Sequence, residues 1–342
     1  MMWLWSVTQL NAFEPKRYHL DVLAMNNGLP SNFVDDIYQD SYGFVWVCTR
    51  AGGLVRYDGY TFDYFDSKEW GGALLRSHSC KNVVEDNYHR LWIAFDDYTG
   101  VLSLDDMKEQ VPKCATPELT KRLQRTLRES GVRTYKDGRG NIWVATIGHL
   151  YRISFDKEGT VVSLAALPYR LNAPDVALCD IGEKGNVWLG YNTNIVQLTV
   201  QGNRIIAHNR NALFAPITGG IFSIIPYQGH LWLGTFTGIY INDKAKTHLS
   251  QGTTPMSLTH NLVTSFALGA DQELLIGTLG GMDVYDPHAH RITPYNMSTP
   301  DLPLTSNFVN CFLVSQGQIW IGTESGGINK LSPRLLNLVN YV

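Results

Sequence analysis

GLPSNFVDDIYQDSYGFVWVCTRAGGLVRYDG, residues Gly28–Gly59, is the stretch from which the rest of the chain can be parsed. Phe33–Asp40 is an apolar-rich run that ends at an Asp-Ser-Tyr-Gly turn. Phe44–Thr49 reads as a second strand, Arg50-Ala51-Gly52-Gly53 as a loop and Leu54–Asp58 as a third strand. Asp58-Gly59 is a hairpin signal, and Thr61–Phe65 then alternates apolar and polar as a fourth strand. Four short antiparallel strands in about 40–50 residues is the signature of a propeller blade.

Working outward, the Trp-centred core of this unit recurs. It stands as GFVWVCT at Gly43–Thr49, RLWIAF at Arg90–Phe95, GNIWVAT at Gly140–Thr146 and GNVWLGY at Gly185–Tyr191. It continues as GHLWLGT at Gly229–Thr235, ELLIGT at Glu273–Thr278 and GQIWIGT at Gly317–Thr323. The landmarks Trp46, Trp92, Trp143, Trp188, Trp232, Leu275 and Trp320 are spaced 46, 51, 45, 44, 43 and 45 apart. The expected fold is therefore all-β: a seven-bladed β-propeller with four antiparallel strands per blade, which leaves no long exposed edge. Residues 13–342 form the single propeller, with repeats near 33–65, 80–111, 131–163, 175–207, 220–249, 262–295 and 307–342. Tyr18–Leu23 or Leu335–Tyr341 is left to supply the outer strand of the last blade.

Slots within the repeat have physical meaning. Two residues after each landmark lie Cys48, Ala94, Ala145, Gly190, Gly234, Gly277 and Gly322, all small, as close backbone approach requires. Nine residues before it lie Ile37, Val83, Thr134, Cys179, Ser223, Phe266 and Cys311. Cys80 shares a slot with Val34, Val176, Val263 and Phe308. Four of the five cysteines thus fall on buried positions, and they read as structural thiols rather than a disulfide framework. There is no CxxC pair to suggest a zinc or redox site. The landmark tryptophans, being mid-strand, read as packing between blades rather than as sugar platforms. The longest gap contains Pro117–Ser130, where Leu119, Leu123 and Leu127 recur every four residues. That is an amphipathic helix opened by Thr116-Pro117, with Lys121, Arg122, Arg125 and Arg128 on its other faces.

Composition excludes several classes. With 28 Lys+Arg against 31 Asp+Glu, the net charge of −3 argues against nucleic acid as the main partner. An apolar fraction of 44 % and a charged fraction of 17 % exclude a disordered chain. No run of about 18 apolar residues is present to span a membrane. Residues 1–12, MMWLWSVTQLNA, are uncharged and mostly apolar, and they read as a signal peptide whose basic start is missing.

The unit Gly28–Gly59 resembles the two-component regulator propeller repeat, whose pattern is GLS-x-N-x-V, an apolar strand ending QD-x-x-G, then LWIGT, then GGL-x-RYD. Leu302–Leu331, LPLTSNFVNCFLVSQGQIWIGTESGGINKL, matches it as well. The resemblance runs from about Tyr18 onward and is looser in units two to four, where Ala94-Phe95, Ala145-Thr146 and Gly190-Tyr191 replace Gly-Thr. It implies the periplasmic sensor region of a Bacteroides-type hybrid two-component system. The ligand would be an oligosaccharide, and the partners would be downstream domains of the same polypeptide and a second protomer. Membrane contact would come only through segments that are not in this sequence. The chain carries no H-box or kinase glycine-rich segment, so it is expected to be a non-enzymatic piece of a sensor histidine kinase.

In a propeller, the loops between second and third strands, and between fourth strand and next blade, share one face. They offer Arg50, Trp70, Asp97, Tyr98, His149, Tyr191, Asn192, Phe236 and Glu324 as candidate ligand contacts. Aromatic faces stack on sugar C–H groups, and planar polar groups bind hydroxyls in pairs. No catalytic residue, metal site or cofactor is expected. Asp96 and Asp97 are adjacent rather than opposed, and His149 and His78 have no HxH, HExxH or GxSxG companion. Two other readings stand beside this one. A stand-alone secreted propeller would act as a polysaccharide or lactone lyase, and a scaffold would bind protein through its rim.

Overall fold

The computed structural model describes residues 13–65, 75, 77–181 and 186–334. The chain is all-β apart from one α-helix and three short 3-10 turns among the described residues. Its strands run in antiparallel groups in sequence order: Val34–Gln39, Val45–Thr49, Gly53–Tyr57 and Phe62–Tyr64 make the first. The second, Cys80–Glu85, Arg90–Phe95 and Thr99–Ser103, has three strands. The third (Gly131–Lys136 to Val161–Ala166) and fourth (Val176–Asp180 to Arg204–Asn209) join into one eight-stranded sheet through a single parallel bridge, Ala166 to Arg204. The fifth starts at Ile221–Tyr227 and the sixth at Val263–Leu268, each with four strands.

Closure is made by the N-terminus. Tyr18–Leu23 pairs antiparallel along Ile328–Pro333, outside Gln318–Thr323 and Val309–Ser315. Phe13 is buried behind this strand, stacking on Tyr18 and meeting Tyr295 edge-on. The other candidate for that place, Leu335–Tyr341, lies outside the described residues. The first strand of each group packs against the first strand of the next, and Val309–Ser315 packs back on Val34–Gln39. The sheets therefore surround a common axis, as in a β-propeller, and the core is a series of apolar layers between neighbouring sheets.

In the first three units the indole N–H groups are tied to the turns of their first hairpins. Trp46, Trp92 and Trp143 each donate Nε1–H to an aspartate six residues earlier: Asp40 at 2.7 Å, Asp86 at 2.9 Å and Asp137 at 2.9 Å. The same carboxylates take backbone N–H groups of their own turns, from Tyr42, Tyr88 and Arg139. In the fifth unit the hairpin Tyr227–His230 is shorter, and Trp232 Nε1 is buried without a partner.

Hairpin length also corrects the slot nine residues before the landmark. Register places Asp36, Asn82, Arg133, Ala177, Ser223, Ser265 and Cys311 opposite the small residues that follow the landmarks. Ser223 and Cys311 are therefore equivalent to Asp36, not to Ile37, and Cys179 lies opposite Trp188 itself. Likewise Val309, not Phe308, matches Val34 as the first paired residue of its strand.

The free-thiol reading needs a correction too. Cys48 and Cys80 sit on adjacent sheets with Cα atoms 4.8 Å apart, and their sulfurs are paired as a disulfide. The repeat brings these two slots face to face, which a count of spacings along the chain does not reveal. Cys114, Cys179 and Cys311 remain free. Thiol titration of the unfolded, unreduced protein is expected to find those three, and all five after reduction.

Asp283 in the sixth sheet is fully buried and accepts from Thr259 N (2.8 Å) and Thr259 Oγ1 (2.9 Å). Burial outweighs these bonds and pushes its carboxyl up to about 6. The folded state thus holds the proton more tightly than the unfolded chain. Asp283's contribution to stability is complete below pH about 4 and is lost as pH rises through about 6. Asp283→Asn is expected to remove roughly 2–3 kcal/mol of pH dependence between those values, read as unfolding midpoints in urea at pH 4, 5, 6 and 7. Identical slopes in variant and wild type would contradict this.

Candidate functional site

Where the first strands begin, the pairing skips one residue: Asp35, Lys81, Val132, Phe222, Thr264 and Asn310 are each bulged out of the ladder. A bulge bends its strand and re-aims the extra side chain. Three of these side chains tie one sheet to the next. Lys81 Nζ donates to Gly131 O (3.3 Å), Thr264 Oγ1 to Val309 O (2.6 Å) and Asn310 Nδ2 to Val34 O (2.9 Å). Each acceptor lies at the start of the next sheet's first strand.

Asp35 breaks the series, because an ionised carboxylate has no hydrogen to donate. Its Oδ1 accepts from Arg50 Nη2 at 3.2 Å, while Oδ2 is buried without a partner. Burial pushes the Asp35 carboxyl up to about 6 against the opposing pull of the Arg50 charge. Beside it, Asp36 accepts from Asn82 Nδ2 (2.9 Å) and Val83 N (3.1 Å). Asn82 Oδ1 in turn takes Thr134 N (2.6 Å) and Thr134 Oγ1 (2.8 Å). Burial raises Asp36 as well, and the charge of Arg133 opposes that rise.

Asp35, Asp36 and Arg133 are among the residues that wall an axial cavity of about 200 Å³. One side is charged, with Asp35, Asp36 and Arg133. The other is built of small or apolar groups, with Ala177, Ser223, Ser265, Cys311 and Phe222. Ser223 Oγ is buried there without a partner. A cavity with two carboxyl groups and a guanidinium on one side and an unpaired hydroxyl on the other can take a compact polar group that both donates and accepts.

Eight of the nine residues named from sequence fall among the described residues, and the structure distributes them between the axis, their own loops and the rim. Arg50 stacks over Phe33, with 3.9 Å from its Cζ to the ring centroid, and reaches Asp35 at the axis. Phe236 is exposed and faces Phe222 at 6.2 Å between ring centroids. Glu324 is half-buried, its N–H bonded to Phe308 O at 3.0 Å. His149 is engaged through one ring nitrogen by the segment that precedes its sheet. Its Nδ1 lies 2.9 Å from Glu129 Oε2, and Glu129 also takes hydrogen bonds from Thr146 and Tyr151. Burial works to raise Glu129, but these bonds outweigh it and hold the carboxylate below its ordinary range. Tyr191 is half-buried beside Tyr169, while Asn192 has a φ of 47° and serves as a turn residue.

Asp96 and Asp97 diverge: Asp96 pairs with Lys81 at 2.8 Å, whereas Asp97 and Tyr98 line a separate cleft at the rim. Trp70 lies outside the described residues. The axial residues Asp35, Asp36, Lys81, Arg133 and Ser223 were missed. The signal for them was available: each falls in the two positions after the first strand residue of its unit, where the bulge sits. Among the described residues no group of three or more His, Cys, Asp or Glu side chains is placed to hold a metal, and no helix is long and apolar enough to cross a membrane.

Comparison with known proteins places the fold. Residues 28–51 and 303–325 match the family model described as the two component regulator propeller. No curated protein matches the chain in sequence. Among solved structures it is similar to extracellular domains assigned to two hybrid two component systems of B. thetaiotaomicron. One gives a TM-score of 0.68 at 19% identity, over 92% of this chain and 42% of that one. The other gives 0.68 at 17% identity, over 93% and 40%. The chain thus spans about two fifths of their length. It is also similar to virginiamycin B lyase from Staphylococcus aureus, with a TM-score of 0.63 at 14% identity over 93% of this chain and 100% of the lyase.

Proposed function

We propose that this chain, which carries two component regulator propeller repeats, is the ligand-sensing propeller of a hybrid two-component system. It binds an oligosaccharide outside the cytoplasm, in the periplasm, and passes that event to a histidine kinase encoded beyond these residues. The observation that carries the reading is the match of both end repeats to the regulator family, within a fold similar to sensor extracellular domains more than twice as long. The propeller has seven blades, of four strands each except the second, whose sheet has three. Cyclic packing of the first strands supports that count, with Tyr18–Leu23 completing the last blade. Lys108–Gln110 substitutes for a fourth strand in the second blade, bonding to Ser103 and Val101. Signalling requires different ligand affinity in two arrangements of the sensor, a property of the longer polypeptide and its second protomer.

Sequencing the genomic DNA on both sides of the 342 codons tests the reading. A frame continuing into a second propeller array, a membrane helix and a kinase is expected. A stop directly after Val342, with a complete signal sequence upstream, would contradict it.

A further inference from the structure

The second sheet ends one strand short, and what replaces the missing strand leaves a built cleft. Beyond Thr99–Ser103 the chain returns only at Lys108–Gln110, where Ser103 N reaches Lys108 O (2.9 Å) and Gln110 N reaches Val101 O (2.8 Å). It then leaves the edge, and the helix Pro117–Leu127 stands over the rest of it. Leu119, Leu123 and Leu127 bury against Trp92, Val101, Ile142 and Val161, and Thr116 caps the first turn through Leu119 N. A helix packs at side-chain distance, whereas a strand would bond to the edge directly. The difference is open space: a cleft of about 510 Å³ at the outer rim, within the range of ligand pockets.

The lining is polar around an apolar floor. Asp97 and Tyr98 come from the turn, Gln110 from the returning arm, and Gln124 and Arg128 from the helix, over Val101 and Leu127. Tyr98 is held by stacking on Phe95, with ring centroids 4.9 Å apart. Thr99 lines the same cleft, is 2 % exposed, and its Oγ1 has no hydrogen-bond partner. A buried hydroxyl left unpaired is costly, and a ligand hydroxyl entering the cleft would relieve that cost. Flat amide, carboxylate and guanidinium groups recognise neighbouring hydroxyls in pairs, and the aliphatic floor accepts a C–H face.

We propose that this rim cleft, not the axial cavity, is where a neutral sugar residue of the ligand is held, with Thr99 Oγ1, Gln124 and Arg128 as its hydrogen-bonding groups. The assignment rests on the reading of this chain as a saccharide sensor. The test titrates the chain with gluco-, manno-, galacto-, xylo- and arabino-oligosaccharides of three to six units in a calorimeter. Binding by one member is followed in Gln124→Ala and Arg128→Ala, both on the exposed helix surface, in Thr99→Val, and in Arg133→Ala at the axis. The expected result is a loss of tenfold or more in Gln124→Ala, Arg128→Ala and Thr99→Val. Binding lost in Arg133→Ala but kept in the cleft variants would overturn the rim site while leaving saccharide sensing intact. No binding by any oligosaccharide, or capture in the cleft of an extended peptide instead, would overturn both.

Discussion

Asp86→Ala is expected to lower the unfolding free energy by about 3–5 kcal/mol, the range for stripping one partner from a buried ion pair. Asp86 has no exposed side-chain surface. Its Oδ2 takes Arg90 Nε at 2.7 Å and Trp92 Nε1 at 2.9 Å, while Oδ1 takes the N–H groups of Tyr88 and Arg90. The Arg90 guanidinium lies near the Tyr88 and Phe155 rings, 5.1 and 4.9 Å from their centroids, and gives Nη1 to Gly159 O of the neighbouring sheet. Removing the carboxylate leaves a cation and an indole N–H buried between two sheets. Asp40→Ala, which strips the same indole contact without a buried arginine, should cost about half as much. Urea unfolding followed by tryptophan fluorescence compares them, and equal midpoint shifts would contradict the role given to Arg90.

The second large effect concerns closure. A variant lacking residues 1–23 loses the six-residue ladder to Ile328–Pro333 and the packing of Phe13, Tyr18 and Leu20 on the sixth and seventh sheets. At about 1.5–3 kcal/mol per large side chain withdrawn from a core, the loss is on the order of 5 kcal/mol. It also exposes a strand edge on Ile328–Pro333 that can pair with another chain. The expected result is a broadened transition at much lower urea and concentration-dependent association in sedimentation. A sharp transition near the wild-type midpoint would mean that the ring is not held by this strand.

The all-β repeat architecture was legible because a buried Trp followed by a small residue is a demand of packing between sheets, and it recurs in every unit but the one centred on Leu275. The axis was less legible for an equally physical reason. Bulges and hairpins of differing length shift the register by one residue, so a fixed count backward from the Trp mixes faces. Cys311 and Ile37 occupy one column in the sequence and different ones in the sheets. The disulfide escaped because Cys48 and Cys80 meet only across a sheet boundary. Of the candidate contacts, Asp97 and Tyr98 were placed on a ligand face, but the wall opposite them comes from the inserted helix, which no repeat pattern describes. His149 looked available because Glu129 lies outside its strand, at the end of that helical segment.

Calorimetric titration of this chain with the oligosaccharide panel tests the central claim most directly. The account predicts saturable heat and a raised melting temperature for one glycan class, and silence for the others. A flat response across the whole panel would contradict it.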